Sequence, residues 1–273
     1  MPFLAGKEIT QNGLGLMRFT LSDDVTPDEQ AFKVLKAALA AGVNVWNGAD
    51  FYGTPENNSL HLMNRYFTAY PEDADKVVLS IKSGVASMKT FAMDCSPAGL
   101  RGFVDNALKV LDGKKKIDIF GCARVDPNVP VEESIKALAE LKEEGKIGGI
   151  QLSEVRAETI RRAASVAKID MLEAESENLA KNRLLVDELE KIAVAKGCTP
   201  AQLALSWVKA QSRKPGMPLF VPVAGARSES RVIENVEDVD LTDDDLAQIA
   251  VLQEKYPVAG ERFPPAAMKL NEY

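Results

Sequence analysis

Tyr52 and Lys82 are the residues of this sequence whose types and positions most favour chemistry. Tyr52 lies in the stretch VNVWNGADFYG at 43–53, where an apolar run passes into a polar turn. Lys82 interrupts the apolar run VVLSI before a Ser-Gly pair, and an ammonium near a buried strand end costs free energy unless it has a partner or a task. A lysine charge beside a phenol lowers the pKa of the phenol, which makes tyrosine a usable general acid near neutral pH. Together the two residues indicate proton-transfer chemistry, although each alone is also typical of a barrel rim.

Polar side chains also stand at or just after the ends of the other predicted strands. In parallel α/β architectures chemistry gathers at the carboxyl ends of the strands, so we expect these side chains at one edge of the sheet. Glu173 and Glu175 share one strand face and could form an acid/base pair as in glycosidases, although salt bridges are the commoner use. The set is Arg18, Asn47, Asp50, Tyr52, Lys82, Arg124, Asp126, Ser153, Glu154, Glu173, Glu175, Arg227 and Arg231.

Several other chemistries have little support in the residues. The only histidine, His61, lies in a helical segment, so a Ser-His-Asp triad is not favoured. The three cysteines, Cys95, Cys122 and Cys198, are far apart and odd in number, which argues against a disulfide framework and a metal knuckle. We predict no metal site.

Charge and hydropathy limit the kinds of partner and the cellular compartment that we expect for this protein. A net charge of −7 and a pI near 5.0 argue against a nucleic-acid partner, because binding phosphate backbones needs a basic surface. No run of about eighteen apolar residues occurs, and the N-terminal stretch lacks a basic segment followed by a long apolar one. We therefore expect a cytoplasmic protein with no membrane partner.

Short β-branched runs alternate with helical patterns along the chain. Such alternation predicts parallel strands joined by right-handed crossovers. With no composition break, we predict one domain over 1–273 and seven strands, one fewer than a closed TIM-type (β/α)₈ barrel requires. An open doubly wound sheet could also hold seven, but its G-x-G-x-x-G fingerprint is absent. The strand-like runs lie at 13–19, 43–46, 76–84, 116–126, 146–154, 168–176 and 218–225, and helical patterns include 26–42, 96–113 and 129–145.

Five of these segments resemble the aldo-keto reductase family in order along the chain. NVWNGADFYG resembles the strand that runs into D-T-A-x-x-Y-G, and LSIKSG resembles the lysine strand. KIDIFGCARVD, GGIQLSEV and TPAQLALSWV with FVPVAGARSESRVIENV resemble later strands and the cofactor segment, so the match runs from about 13 to 245. Within the family, the segments LMR, WNGADFYG, CARVD and LSEV resemble those of fungal pyridoxal reductases. The resemblance implies a TIM barrel that reduces aldehydes or ketones with NADPH.

The resemblance also implies roles for catalytic and substrate residues. Tyr52 matches the proton donor and Lys82 the lysine that assists it. Asn47 stands where the family has the aspartate that pairs with this lysine, so Asp50 is a possible substitute partner. Ala123 stands where the family has a histidine, which opens space for a bulky or flat substrate such as an aromatic aldehyde. Two arginines, Arg18 and Arg124, are then available for its polar substituents.

Cofactor contacts are implied along the later strands and the C-terminal segment. Ser153 matches the serine that holds the nicotinamide carboxamide, and Glu154 and Glu173 stand where asparagine and glutamine are usual. Arginines suit a 2′-phosphate, so Arg231, assisted by Arg227, favours NADP over NAD. The implied cofactor positions are Ser153, Glu154, Glu173, Arg227, Arg231, Glu234 and Asn235.

One departure from the family pattern is larger than any substitution. After LEAESENL the chain passes from Asn178 almost directly to a later helix, so a strand-helix unit of roughly 30 residues is missing around the seventh strand. The unpaired sheet edges could be covered in a homodimer. Because of the missing unit and the substituted catalytic positions, an alternative is a degenerate barrel that has lost the reductase activity. It would then have a non-redox role, as a metabolite-binding protein, an isomerase or a cyclisation template.

Overall fold

The computed structural model describes residues 2–21, 24–173 and 183–257, and its centre is a sheet of seven parallel strands. In chain order the strands are β1 (Gly13–Gly15), β2 (Val45–Ala49), β3 (Val78–Ser83), β4 (Ile119–Cys122), β5 (Ile150–Ser153), β6 (Met171–Glu173) and β7 (Val223–Gly225). Their spatial order is β6-β5-β4-β3-β2-β1-β7, so β1 to β6 pair with their sequence neighbours and β7 returns to β1.

Helices follow these strands, and several of them begin at a residue whose side chain caps the first turn. Ser96 accepts a hydrogen bond from the amide of Gly99, and Thr199 forms a capping box with Gln202. The helices are α1 (Asp28–Ala40), α2 (Ser59–Ala69), α3 (Pro97–Leu111), α4 (Val131–Glu143), α5 (Ala157–Ala164), α6 (Arg183–Ala195), α7 (Pro200–Ala210), α8 (Glu229–Val236) and α9 (Asp243–Lys255).

The first strand is shorter than the sequence predicted. The predicted run covers 13–19, but β1 ends at Gly15 and Met17–Thr20 forms a short helix. This helical turn buries the side chains of Phe19 and Thr20.

The two faces of the sheet bury different side chains. On the outer face, Trp46 is fully buried against α2, with its ring 5.4 Å from that of Tyr66. The inner face curls on itself. As a result, the hydroxyl of Ser80 on β3 lies 3.6 Å from the sulfur of Met171 on β6. At the amino ends of the strands, the curled sheet encloses an apolar cluster of Ile9, Val45, Val78 and Ile119.

The curled sheet has two edges within the described residues. There β6 pairs only with β5, and β7 pairs only with β1. Leu172 on the outer face of β6 is 48% exposed. The prediction of an incomplete (β/α)₈ barrel is confirmed, while residues 174–182, where the missing unit was placed, lie outside the described part. A homodimer that covers these edges stays a prediction.

The sequence also argued against a disulfide framework and against a membrane partner. Cys95, Cys122 and Cys198 are free thiols in this structure. None of the helices in the described ranges is both long and apolar enough to cross a membrane.

Candidate active site

Tyr52 stands in the turn that follows β2, at the carboxyl edge of the sheet. Its side chain is buried, and its ring packs edge-on against Phe51 at 5.0 Å between centroids. Gly53 next to it has φ +128°, and a Cβ there would lie 2.3 Å from the carbonyl oxygen of Asn57. A glycine after the tyrosine is therefore required for the small hairpin of Gly53–Thr54 and Asn57–Asn58 that closes behind it.

Lys82 lies beside Tyr52 on the neighbouring strand. The register of β2 and β3 places Lys82 opposite Ala49, three residues before the tyrosine. Its ammonium is 5.3 Å from the centroid of the Tyr52 ring, and only 2% of the residue is exposed. This separation is within the range of a cation–π contact between the ammonium and the ring. The structure thus brings together the two residues that the sequence singled out.

A carboxylate partner for Lys82 comes from the far side of the curled sheet. One oxygen of Glu173 on β6 accepts a short hydrogen bond and ion pair from the lysine, and the other accepts from the amide of Asn47 at 2.8 Å. The Glu173 side chain is about 10% exposed. The sequence assigned Glu173 to the cofactor and allowed a salt bridge as its commoner use. It did not identify Lys82 as the partner, because no periodicity links two residues 91 positions apart.

Asp50, considered as a substitute partner for Lys82, accepts a short hydrogen bond from the hydroxyl of Ser83. Burial raises the pKa of the Asp50 carboxyl to about 6, although the Ser83 hydrogen bond acts in the opposite direction. Asp50 is therefore a group at this edge that changes charge under mildly acidic conditions.

Ser153 and Glu154 follow on β5 at the same edge. Ser153 is 1% exposed, and its hydroxyl has no hydrogen-bond partner within the described residues. Glu154 is equally buried and has φ +58°, an uncommon conformation outside glycine. Its backbone amide donates to the carbonyl of Glu173 at 3.0 Å. The strained backbone at Glu154 joins the carboxyl ends of β5 and β6.

Beneath these residues lies a polar layer that the sequence analysis missed. Ser80 donates to the side-chain carbonyl of Gln151 at 2.7 Å, and the amide nitrogen of Gln151 is buried without a hydrogen-bond partner in the described chain. Gly121 makes room for it, because a Cβ there would lie 1.9 Å from the backbone oxygen of Gln151. The alternation of VLSIKS and IQLS could have revealed both inward polar positions.

The predicted 2′-phosphate residues lie on and before α8. Arg231 pairs with Glu234 at 2.6 Å, and Glu234 also accepts from Thr199 at 2.9 Å. Arg227 donates to Thr26 at 3.1 Å and pairs with Asp24 at 3.1 Å. Both arginine side chains are partly exposed, so both can exchange these partners for an anion.

Asn235, on the inward side of α8, lines a narrow groove with Gly13 and Ala224. The groove runs between α8 and the ends of β1 and β7.

The three predicted substrate residues are distributed around the same edge. Arg18 is exposed and lies against Gly225 at the end of β7. Ala123 is 2% exposed and its amide donates to the carbonyl of Ser83 at 2.8 Å. The guanidinium of Arg124 donates to the carbonyl of Ala123 at 2.6 Å. Glu175, the partner of Glu173 in the glycosidase-like alternative, lies outside the described residues.

No group of three or more histidine, cysteine or acidic residues within the described ranges could hold a metal ion.

Comparison with known proteins gives consistent matches. The model of the Aldo/keto reductase family matches residues 13–183 and 173–254. Probable pyridoxal reductase 2 of Schizosaccharomyces pombe is 43% identical over 190 residues, which are 68% of this chain and 57% of that protein. The chain thus spans little more than half the length of this relative. An aldo-keto reductase of Gibberella moniliformis is 26% identical over 326 residues, covering 96% of each chain.

The solved structures agree on the fold. A thermostable aldo-keto reductase, Tm1743, solved with the inhibitor epalrestat, superposes with a TM-score of 0.75 at 20% identity, over 92% of this chain and 98% of that one.

The matches also locate the missing unit. The two parts of the family match overlap at 173–183, and the Gibberella alignment spans 326 positions against a chain of 273 residues. Relatives therefore carry a segment that this chain lacks, as the sequence predicted. The family match, the similarity to the Schizosaccharomyces protein and the order of the strands lead to one conclusion: the chain belongs to the aldo/keto reductase family.

Proposed function

We propose that this protein reduces an aldehyde or ketone to the alcohol with NADPH, and that Tyr52 donates the proton. The observation that carries the proposal is the buried cluster at the carboxyl edge of the sheet, where the Lys82 ammonium stands 5.3 Å from the Tyr52 ring. An ammonium favours a neighbouring anion, so a lysine at this distance from the ring favours the tyrosinate that proton donation would leave.

The residues at the same edge fit a nicotinamide cofactor. The Ser153 hydroxyl is buried and has no partner within the described residues, so a carboxamide would satisfy it. Arg231 and Arg227 stand on the part of the chain that follows β7, where partly exposed guanidinium groups can bind a 2′-phosphate. The family resemblance assigns Asn235, on the same helix as Arg231, to the adenine. This set supports NADPH over NADH.

In this mechanism the bound cofactor supplies a hydride to the carbonyl carbon. The protein's part is to protonate the carbonyl oxygen as it becomes an alkoxide, and we assign that proton to the Tyr52 hydroxyl. Lys82 stabilises the tyrosinate that remains, because an ammonium favours a neighbouring anion. Burial of both side chains strengthens this interaction, since water would otherwise screen it.

The substrate is proposed to be an aromatic aldehyde of the pyridoxal type. Ala123 is smaller than the histidine that the family resemblance places at this position, and Arg18 and Arg124 can meet polar or anionic substituents. The relative at 43% identity carries the name probable pyridoxal reductase, which supports the same class.

A titration with NADPH, followed by cofactor fluorescence, tests the proposal at its first step. We expect saturable binding, followed by oxidation of NADPH when pyridoxal is added. Absence of binding at high NADPH concentration would refute the reductase proposal. It would favour the second candidate, a barrel with a non-redox role, which is supported by the two sheet edges at β6 and β7 in the described structure.

A further inference from the structure

The counter-charge of Lys82 is carried by a strand on the opposite side of the curled sheet. Lys82 lies on β3 and Glu173 on β6, and their side chains meet although both are nearly excluded from solvent. A buried ammonium requires a partner, because an unpaired charge in the interior is strongly destabilising. The short contact with Glu173 provides one.

Asn47 completes this arrangement from β2. Its amide nitrogen donates to the second oxygen of Glu173 at 2.8 Å and lies 3.5 Å from the hydroxyl of Ser80. Only 3% of Asn47 is exposed. The amide therefore fixes the carboxylate from one side while the ammonium binds it from the other.

The register of the sheet shows why position 47 holds an amide. Asn47 is opposite Ser80, and Ala49 is opposite Lys82, so Asn47 and Lys82 are diagonal neighbours on one face. An aspartate at 47 would reach the same ammonium. It would also place a second carboxylate against Glu173, and two like charges at one buried site repel each other.

We infer that Glu173 is a positioning residue that acts as the counter-ion of Lys82, and that Asn47 and Glu173 are a matched pair in which the carboxylate has moved from β2 to β6. This inference rests on the proposed reductase function and extends it. Glu173 holds the ammonium in place against Tyr52, and Asn47 orients the carboxylate without adding charge.

Replacing Glu173 by glutamine separates this role from a cofactor contact. Glutamine is the residue that the family usually has at this position, so a cofactor contact predicts that Glu173→Gln retains activity. The counter-ion role predicts instead a fall in kcat of about 100-fold, as expected for a misplaced catalytic group, with the Kd for NADPH unchanged.

Moving the carboxylate from position 173 to position 47 tests whether the lost activity can be restored. Asn47→Asp in the Glu173→Gln background restores one carboxylate within reach of Lys82, and we expect most of the lost kcat to return. Asn47→Asp alone should lower kcat, since two carboxylates then share the site. The exposed Glu143→Gln is the matched control and should leave kcat unchanged.

Thermal unfolding tests the pair without any need for turnover. Glu173→Gln should lower the Tm by roughly 6–12 °C, as expected when one partner of a buried pair is removed. In a Lys82→Met background the same substitution should not lower the Tm and should instead raise it, because the Glu173 carboxylate is then a buried charge without its counter-ion.

These outcomes also separate the inference from the proposed function. Full activity of Glu173→Gln, or an equal loss of Tm with and without Lys82, would overturn the counter-ion role. If the unmodified protein does not oxidise NADPH with any aldehyde, the proposed function fails, and the Tm comparison alone decides whether Glu173 pairs with Lys82.

Discussion

Replacing Asp50 by asparagine should make the protein more stable near neutral pH. The Asp50 carboxyl accepts a hydrogen bond from Ser83, and burial raises its pKa to about 6 from the value of 3.8 for a free aspartate. Its charged form is thus disfavoured in the folded protein. Asparagine keeps the accepting oxygen for Ser83 and carries no charge at any pH.

The magnitude follows from the two pKa values. Because the pKa of Asp50 is raised in the folded protein, its carboxyl contributes most to the free energy of unfolding below pH 3.8. This contribution is lost as the pH rises through 6. A difference of about 2 pKa units corresponds to about 3 kcal/mol in the free energy of unfolding, complete above pH 7. Between pH 5 and pH 8 the two proteins should diverge by about 1.4 kcal/mol of that total.

Equilibrium unfolding in urea at pH 5, 6, 7 and 8 measures this difference. The free energy of unfolding of Asp50→Asn should exceed that of the unmodified protein at every pH, and the excess should grow with pH. A difference that stays constant from pH 5 to 8 would show that Asp50 is already ionised throughout, and would refute the reasoning from burial.

Four further substitutions test other parts of the structure. Ser153→Ala should raise the Kd for NADPH by about tenfold while leaving the Tm unchanged, because the hydroxyl has no protein partner to lose in the described structure; a fall in Tm would contradict this. Arg231→Met should weaken binding of NADPH about tenfold and leave binding of NADH nearly unchanged, which fluorescence titration with both cofactors measures. Gly121→Ala should destabilise the protein by about 1–3 kcal/mol or more, because its Cβ would lie 1.9 Å from the oxygen of Gln151. Gly102→Ala, in the middle of α3 with nothing within 4 Å, should instead stabilise it by about 0.5–1 kcal/mol in the same urea assay.

The sequence predicted the number of strands and the residues that follow them. Alternating β-branched runs and helical patterns specify seven parallel strands, and the meeting of Tyr52 with Lys82 follows from their places at neighbouring strand ends. These predictions succeed because they depend on local periodicity and on a general rule for parallel sheets.

Contacts across the interior could not be read in the same way. Glu173 meets Lys82 because the sheet curls, and the curl depends on the packing of all seven strands rather than on any local pattern. The length of β1 was also overestimated, since GLGLMRF is apolar enough for a strand while its last residues form a helix. The choice between Asp50 and Glu173 as the partner of Lys82 likewise depends on how the sheet curls, which the sequence pattern does not specify.

We propose that Tyr52 donates the proton to the substrate oxygen in a reduction that consumes NADPH. The most direct measurement compares pyridoxal-dependent oxidation of NADPH by the unmodified protein and by Tyr52→Phe, with Tyr70→Phe as the control. We predict that Tyr52→Phe lowers kcat by at least about 100-fold with the Kd for NADPH unchanged, and that Tyr70→Phe retains activity. Equal turnover by the unmodified protein and Tyr52→Phe would contradict the assignment of the proton donor.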